Sequence, residues 1–129
     1  MALVKIEIVT GKSPEYKEIL LNCIHSALVE NLKVPENDRI QLVSELEPKN
    51  VRRKFMKSDN FTLIEILMFA GRSVAVKKNL YRDINDRIIA SLGIKEQDIM
   101  IIIHDIPMEN WGLYGRPASE LDLDYDVEI

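Results

Sequence analysis

The chain has 129 residues, of which 47% are hydrophobic and 29% charged, and a formal net charge of −4. This length fits one domain with one core, and the acidic balance argues against a nucleic-acid binder, which usually needs a basic surface. No apolar run reaches the roughly 20 residues of a membrane-spanning helix, and the charges near the N-terminus do not fit a signal peptide. A single cysteine, Cys23, cannot form an internal disulfide, so we expect a cytoplasmic protein in which Cys23 is a packing thiol.

The first predicted element is a strand over residues 3–9, bounded by Gly11. A helix follows over residues 13–32, where Ser13 and then Pro14 give a start signal. After a turn at residues 34–38, a second strand is predicted over residues 39–46. A strand–helix–strand unit of this length is typical of a right-handed crossover between parallel strands.

A basic connector over residues 47–60 separates this unit from the next. It carries Arg52, Arg53, Lys54 and Lys57, which could bind an anionic ligand or lie on a solvated loop. The sequence leaves both interpretations open.

The same order of elements then recurs, with a strand over residues 61–69, a helix over 73–92 and a strand over 99–104. A shift of 60 residues superposes the two units without a gap. The identical pairs include Gly11 with Gly71, Ser13 with Ser73, Lys17 with Lys77, Leu20 with Leu80, Ile24 with Ile84 and Asp38 with Asp98. We therefore predict an α/β (α+β) domain over residues 1–129, with two β-α-β units at 3–46 and 61–106. They form a four-stranded mixed sheet with two helices on one face.

The strands of the second unit are apolar on both faces, since Ile64 and Ile66 alternate with Leu63 and Leu67. Such a strand is expected to be buried on both sides. Because two helices cover only one face of the sheet, we expect the other face to meet another subunit. The C-terminal arm, residues 107–129, combines turn residues with an alternating apolar end and predicts a short hairpin or an arm that could reach a neighbour.

Several stretches, in this order, resemble the tautomerase superfamily. They are Pro-Glu-Asn-Asp-Arg-Ile-Gln-Leu-Val-Ser-Glu at 35–45, Ser-Asp-Asn-Phe-Thr-Leu-Ile-Glu-Ile at 58–66, Gly-Arg-Ser-Val-Ala-Val-Lys-Lys-Asn-Leu-Tyr at 71–81, Gly-Ile-Lys-Glu-Gln-Asp-Ile at 93–99 and Glu-Asn-Trp-Gly at 109–112. The chain is most similar to the branch of roughly 130 residues that includes malonate semialdehyde decarboxylase-like proteins. The resemblance implies a homotrimer, whose sheets face inward, and a cofactor-free site at the subunit edge, near the start of the first strand.

That resemblance also implies a catalytic N-terminal proline, but this chain has Ala2 at the corresponding position. If Met1 is removed, the primary amine of Ala2 could accept a proton or form a Schiff base with a carbonyl compound. Asp38 matches an aspartate that orients or activates water in the decarboxylase-like relatives. Its repeat mate Asp98 lies at the equivalent turn, so a turn-capping role is the alternative.

Five further residues are candidates for substrate binding. Arg72 matches a carboxylate-binding position of the family, although a surface cation at a helix start is the alternative. Arg39 and Arg116 could pair with a substrate carboxylate. Trp111 and Tyr114 could wall the site or pack at a subunit contact. His25 and His104 are expected to be structural, and no spacing of ligands predicts a metal site.

The resemblance favours a cofactor-independent keto–enol tautomerase that acts on a small 2-oxo acid, with activity impaired by the missing proline. A decarboxylase or hydratase of a 3-oxo or unsaturated acid, in which Asp38 acts on water, is the enzymatic alternative. A non-catalytic trimer that binds a small carboxylate or a protein is the third. In each case we expect no nucleic-acid or membrane partner.

Overall fold

The computed structural model describes residues 2–53 and 58–129. Its main elements are strand β1 (Ala2–Val9), helix α1 (Pro14–Leu32), strands β2 (Ile40–Leu46) and β3 (Thr62–Phe69), helix α2 (Val74–Leu92) and strand β4 (Ile99–Ile106). Two short strands, β5 (Gly112–Leu113) and β6 (Arg116–Pro117), follow in the C-terminal arm. Two of the predicted connector cations, Lys54 and Lys57, lie outside the described residues.

The four long strands form one mixed sheet in the order β2-β1-β3-β4. β1 is parallel to β2 and β3 is parallel to β4, whereas the two central strands β1 and β3 are antiparallel. Each β-α-β unit therefore contributes one parallel pair, and the two units meet at the centre of the sheet. The predicted fold class is confirmed.

The two units repeat in detail as well as in outline. The hydroxyl of Ser13 accepts a hydrogen bond from the backbone of Tyr16 at the start of α1, and Ser73 accepts one from Val76 at the start of α2. A lysine in each helix also pairs with an acid on the second strand of its own unit. These ion pairs are Lys17 with Glu45 and Lys77 with Asp105. Both pairs differ by the 60-residue shift, so the sequence repeat corresponds to repeated contacts.

Both helices pack on one face of the sheet. The buried side chains of β1 and β3 alternate along each strand, as in Val4, Ile6, Ile64 and Ile66, which are at most 1% exposed. They join the apolar stripes of the helices in one core. The stripe residues are Leu20, Ile24, Ala27, Leu28, Leu80, Ile84 and Ile88. Cys23 belongs to this core, where its thiol lies 3.6 Å from the carbonyl oxygen of Arg87.

The opposite face of the sheet carries apolar side chains that neither α1 nor α2 covers. Ile40, Leu42, Met100 and Ile102 are each between 41% and 52% exposed in the single chain. An antiparallel or mixed sheet with one solvated face normally carries polar residues there. This face therefore has the composition of a contact surface, as the two-faced strands predicted.

The observed strands differ slightly from the predicted ones. β2 begins at Ile40 rather than at residue 39, and β4 extends to Ile106 rather than ending at 104. The polar pair His104 and Asp105 interrupts the apolar run and hides the end of β4 in the sequence. The backbone amide of Ala70 nevertheless bonds to the carbonyl of Ile106 at 3.0 Å and holds this end in the sheet.

Across the described ranges 2–53 and 58–129, no helix has both the length and the apolar character needed to cross a membrane.

Candidate functional site

Position 2 lies at the end of the sheet where β1 and β2 begin and β3 and β4 end. We call this end of the strands the Asp38 edge and the opposite end the Asp98 edge. Ala2 pairs with Met68 near the end of β3, and Leu3 pairs with Ile40 at the start of β2. Ala2 is only 3% exposed. The start of β1 is therefore enclosed between the ends of two neighbouring strands.

Asp38 is brought to this same edge by the turn that precedes β2. Its backbone amide donates to the carbonyl of Pro35 at 3.0 Å, which closes the turn. The side chain is half-buried and engaged in a polar interaction. Because β1 and β2 are parallel and adjacent, the turn that precedes β2 lies next to the start of β1.

Trp111 covers the edge from the side of β4. Its indole nitrogen donates to the carbonyl of Ile106 at 3.3 Å, and its ring meets Phe69 edge-on, with 5.2 Å between the ring centroids. An aromatic residue with its N–H satisfied in this way is held in one orientation. Trp111 thus packs on Phe69, which was not a candidate from the sequence, and the role of Trp111 as a wall of the site stays a prediction.

The hairpin β5–β6 follows Trp111 and places Tyr114 and Arg116 beside the edge. Tyr114 and Gly115 both have positive φ, 55° and 77°, as a tight two-residue hairpin turn requires. Leu113 pairs with Arg116 across the turn. Tyr114 is 87% exposed, so its ring projects from the surface of the single chain.

A pocket of about 420 Å³ opens between the edge, the hairpin and the end of the C-terminal arm. The residues that line it are Pro35, Asp38, Phe69, Leu113, Tyr114, Arg116, Leu121, Asp122, Leu123, Asp124 and Tyr125. Three of the predicted site residues, Asp38, Tyr114 and Arg116, are therefore brought together. The volume is suited to a small organic ligand.

Arg72 lies behind this pocket rather than on its wall. The side chain is 5% exposed, and its guanidinium donates to the carbonyls of Phe69 at 3.0 Å and Leu32 at 3.2 Å. Burial lowers the pKa of Arg72, while the charge of Asp105 opposes that shift. In this structure Arg72 connects the end of α1 to the end of β3, and its contact with a substrate carboxylate stays a prediction.

Arg39 is directed toward α1 and does not line the pocket. Its guanidinium donates to the side-chain oxygens of Gln41 at 2.7 Å and Asn22 at 2.8 Å. Gln41 in turn donates to the carbonyl of Leu21. These amide oxygens on the helix-facing side of the sheet hold the cation away from the pocket.

The histidines make structural contacts. His25 is buried, and its Nε2 lies 2.8 Å from the carbonyl oxygen of Glu36. His104 lies 3.2 Å from Glu65 on the uncovered sheet face. Within residues 2–53 and 58–129, no three His, Cys, Asp or Glu side chains converge as metal ligands.

The sequence of this chain matches profiles of known protein families. A family profile described as a tautomerase enzyme matches residues 38–114, more than half of the chain. The chain belongs to the tautomerase family. A second tautomerase enzyme profile matches residues 3–54. The two matches together reach from the start of β1 to the β5–β6 hairpin and include all but the last part of this tautomerase chain.

Curated relatives carry the same name. The chain is 28% identical to the probable tautomerase YusQ of Bacillus subtilis over 126 residues, 94% of this chain and 98% of the relative. It is 35% identical to a 2-hydroxymuconate tautomerase of Comamonas testosteroni over 57 residues, 44% of this chain and 90% of the relative. The second match has the length of one β-α-β unit, as expected for a duplicated tautomerase.

Solved structures of similar fold cover nearly the whole tautomerase chain. One is a malonate semialdehyde decarboxylase inhibited by 3-bromopropiolate, 25% identical with a TM-score of 0.81, which matches 94% of this chain and 98% of its own. Another is a fused 4-OT that forms an asymmetric trimer, 26% identical with a TM-score of 0.82 over 91% of this chain and 96% of its own.

The part of the tautomerase pocket formed by residues 121–125 was not predicted from the sequence. Their alternating apolar pattern predicted a short hairpin or an arm that could reach a neighbour, and it did not predict a wall on the same subunit. The apolar members Leu121, Leu123 and Tyr125 are half-buried, while the intervening Asp122 and Asp124 are exposed. That alternation was the available signal, since it shows that one side of the segment must pack against something.

At the opposite edge of the sheet, the repeat mate of Asp38 is Asp98, whose side chain is buried. Asp98 is 3% exposed, accepts a hydrogen bond from Ser58 at 2.7 Å and lies 3.7 Å from Arg53. Arg53 also donates to the carbonyl of Ser58 and lies over the ring of Phe61. The connector is thus bound directly to Asp98, and Arg53 has a structural role that the sequence analysis did not anticipate.

Proposed function

We propose that this chain is a cofactor-independent keto–enol tautomerase of a small 2-oxo acid and that the pocket at the Asp38 edge is its active site. The observation that carries the proposal is that Asp38 and Arg116 line one pocket, at the end of the sheet where β1 begins, in a chain that belongs to the tautomerase family. A titratable amine, a carboxylate and a guanidinium are sufficient for proton transfer on a carboxylate substrate.

In the proposed reaction, the guanidinium of Arg116 binds the substrate carboxylate by charge-assisted hydrogen bonds. A base removes the proton of the 2-hydroxyl group of the enol, the C–O bond becomes a carbonyl, and a proton is delivered to C3. The amine of Ala2, once Met1 is removed, is the candidate for this transfer, since an α-amine titrates near pH 8. Asp38 would orient the amine or hold it in its protonated form.

We also propose that the protein acts as a homotrimer in the cytoplasm. The uncovered apolar face formed by Ile40, Leu42, Met100 and Ile102 supports self-association, and fused 4-OT structures of similar fold are trimers. Measurement of the molar mass in solution tests this, and a monomer at micromolar concentration would contradict it.

The activity test is the ketonisation of phenylenolpyruvate by the purified chain, whose mass is first measured to establish whether Met1 is present. We expect measurable turnover once Met1 is absent, and a higher rate in an Ala2→Pro variant, because a secondary amine restores the base found in the family. Turnover that is unchanged by Ala2→Pro and by retention of Met1 would exclude position 2 as the base.

Arg116→Ala tests the assigned carboxylate contact. Loss of a charge-assisted hydrogen bond worth about 1.5–3 kcal/mol raises KM by about tenfold or more. Arg52→Ala is the matched control, since Arg52 is an exposed arginine of the connector that does not line the pocket. Equal effects of the two substitutions would point to net charge rather than to a binding site.

Decarboxylation of a 3-oxo acid is the second candidate. It is favoured by the similarity to malonate semialdehyde decarboxylase together with the presence of Asp38 in the pocket. The substrate would lose CO2, and the electrons of the broken C–C bond would form an enolate that is then protonated at carbon. Release of CO2 from a 3-oxo acid, abolished by Asp38→Asn, distinguishes this reaction from tautomerisation. A chain that binds carboxylates without either turnover would be a non-catalytic relative.

A further inference from the structure

The charges around the Asp38 pocket are unequal. Among the described residues that line it, three are carboxylates, Asp38, Asp122 and Asp124, and one is a cation, Arg116. Arg72 does not offer a second carboxylate site, because it does not line the pocket and its guanidinium donates to two backbone carbonyls behind it. The pocket therefore offers a site for one carboxylate and opposes a second.

The two aspartates of the arm are held at the pocket by contacts on both sides of the segment. Tyr125 packs against the main core. Farther along, the hydroxyl of Ser73 donates to the carbonyl of Ile129 at 3.2 Å. Gly71 leaves room for the arm, since a Cβ at this position would lie 2.7 Å from the carbonyl oxygen of Val127. Asp122 and Asp124 are thus fixed wall residues rather than charges on a free tail.

A ligand in a pocket of about 420 Å³ lies close to both side chains. Charges closer than the Debye length, about 8 Å at 0.15 M salt, are only partly screened. A monoanion can place its carboxylate at Arg116 and its apolar end against Leu113, Leu121 and Leu123. A dicarboxylate of the same length has to place its second charge near Asp122 or Asp124.

We propose that Asp122 and Asp124 determine specificity and select substrates with a single carboxylate and an uncharged tail over dicarboxylates. This inference rests on the proposed function for its physiological meaning, because it names the substrate class of the same site. The proposed preference differs from the substrate in the name of the 2-hydroxymuconate tautomerases that match one unit of this chain, because 2-hydroxymuconate is a dicarboxylate.

Binding of two unreactive ligands tests the proposal independently of turnover. Sorbate and trans,trans-muconate share the same six-carbon diene and differ by one carboxylate. The fluorescence of Trp111, the single tryptophan of the chain, reports binding because its ring contacts Phe69 on the pocket wall. Calorimetry serves as the second measurement. We expect the wild type to bind sorbate more tightly than muconate.

The double variant Asp122→Asn/Asp124→Asn is expected to raise the affinity for muconate relative to sorbate by about fivefold, as two partly screened repulsions are removed. Asp126→Asn is the matched control, since Asp126 is an exposed acid on the same arm and does not line the pocket. Higher salt should likewise raise the muconate-to-sorbate affinity ratio in the wild type, which provides a test without any substitution.

Any of four results would overturn the inference. The first two are equal or tighter binding of muconate by the wild type and an affinity ratio unchanged in the double variant. The other two are the same change in Asp126→Asn and failure of both ligands to bind. A preference for sorbate in a chain that turns over no 2-oxo acid would instead remove only the proposed catalytic function.

Discussion

The two edges of the sheet start from the same repeated unit and differ in what the following segment does. At one edge, the C-terminal arm surrounds an open pocket that contains Asp38. At the other, the connector binds the repeat mate Asp98 directly through Ser58 and Arg53. The same aspartate therefore lines a cavity in one unit and holds a loop in the other.

The structural difference between the two edges begins after the second strand of each unit, at the equivalent positions 51 and 111. Both units continue past their second strand into a short 3₁₀ turn, at Pro48–Asn50 and Met108–Asn110, again 60 residues apart. The next residue is Val51 in the connector and Trp111 in the arm. Trp111 caps the edge by packing on Phe69 and bonding to the carbonyl of Ile106. Duplication thus supplied two equivalent edges, and the segments beyond them determine which edge can bind a ligand.

Asp98→Ala gives the largest expected effect on stability. Removal of the carboxylate leaves Ser58 without its acceptor and the half-buried Arg53 without a countercharge, which costs about 3 kcal/mol of unfolding free energy. Asp38→Ala should cost clearly less, because Asp38 is more exposed. Urea unfolding of both variants measures the difference, and equal losses would break the comparison between the edges.

The next largest difference in stability is expected between Arg72→Ala and Lys12→Ala, which change two equivalent positions of the repeat. Arg72 is buried and bonds to two carbonyls, so its loss should cost about 2 kcal/mol and also lower any turnover. Lys12 is half-buried, donates to Asn60 at 2.7 Å and lies 5.2 Å from the ring centroid of Tyr16, so about 1 kcal/mol is expected. An Arg72→Ala variant with full stability and full activity would exclude both roles of this arginine.

Gly71→Ala against Gly11→Ala isolates the docking of the C-terminal arm. Both glycines have positive φ, 141° and 104°, so both variants strain the backbone. Only at Gly71 would the new Cβ meet the arm, because nothing lies within 4 Å of the equivalent point at Gly11. The extra loss at Gly71 should be about 1 kcal/mol, with faster proteolysis of the arm. Equal losses would show that the arm contributes little to stability.

Tyr16 predicts a small pH effect confined to the Asp98 edge. Burial raises its pKa above the ordinary value of 10.0, and the charge of Asp98 adds to this shift. The associated stabilisation is present below pH 10 and is lost as the pH rises through the higher value of the folded state. Tyr16→Phe should therefore flatten the decline of stability above pH 10, by a small amount since the ring is partly exposed. An unchanged decline would assign it to other groups.

The repeated sequence was sufficient for most of the fold. Ser13 and Ser73 predicted the helix starts, and the two-faced strands predicted an uncovered apolar sheet face. The sequence determined less about where the candidate site residues lie. Asp38, Tyr114 and Arg116 line one pocket, whereas Ala2, Arg39, Arg72 and Trp111 are not among the described residues that line it. The arm forms a further wall that no motif predicted.

Local patterns determined the elements because hydrophobic period, capping residues and turn glycines act within a few residues of one another. They also fixed the family, since the order of its motifs lies in the chain itself. The contacts of the site residues depend on atoms that lie 40 residues away in the sequence. Arg72 bonds to Leu32, and Asp98 is covered by Ser58. Only tertiary packing decides which of these distant partners a side chain meets.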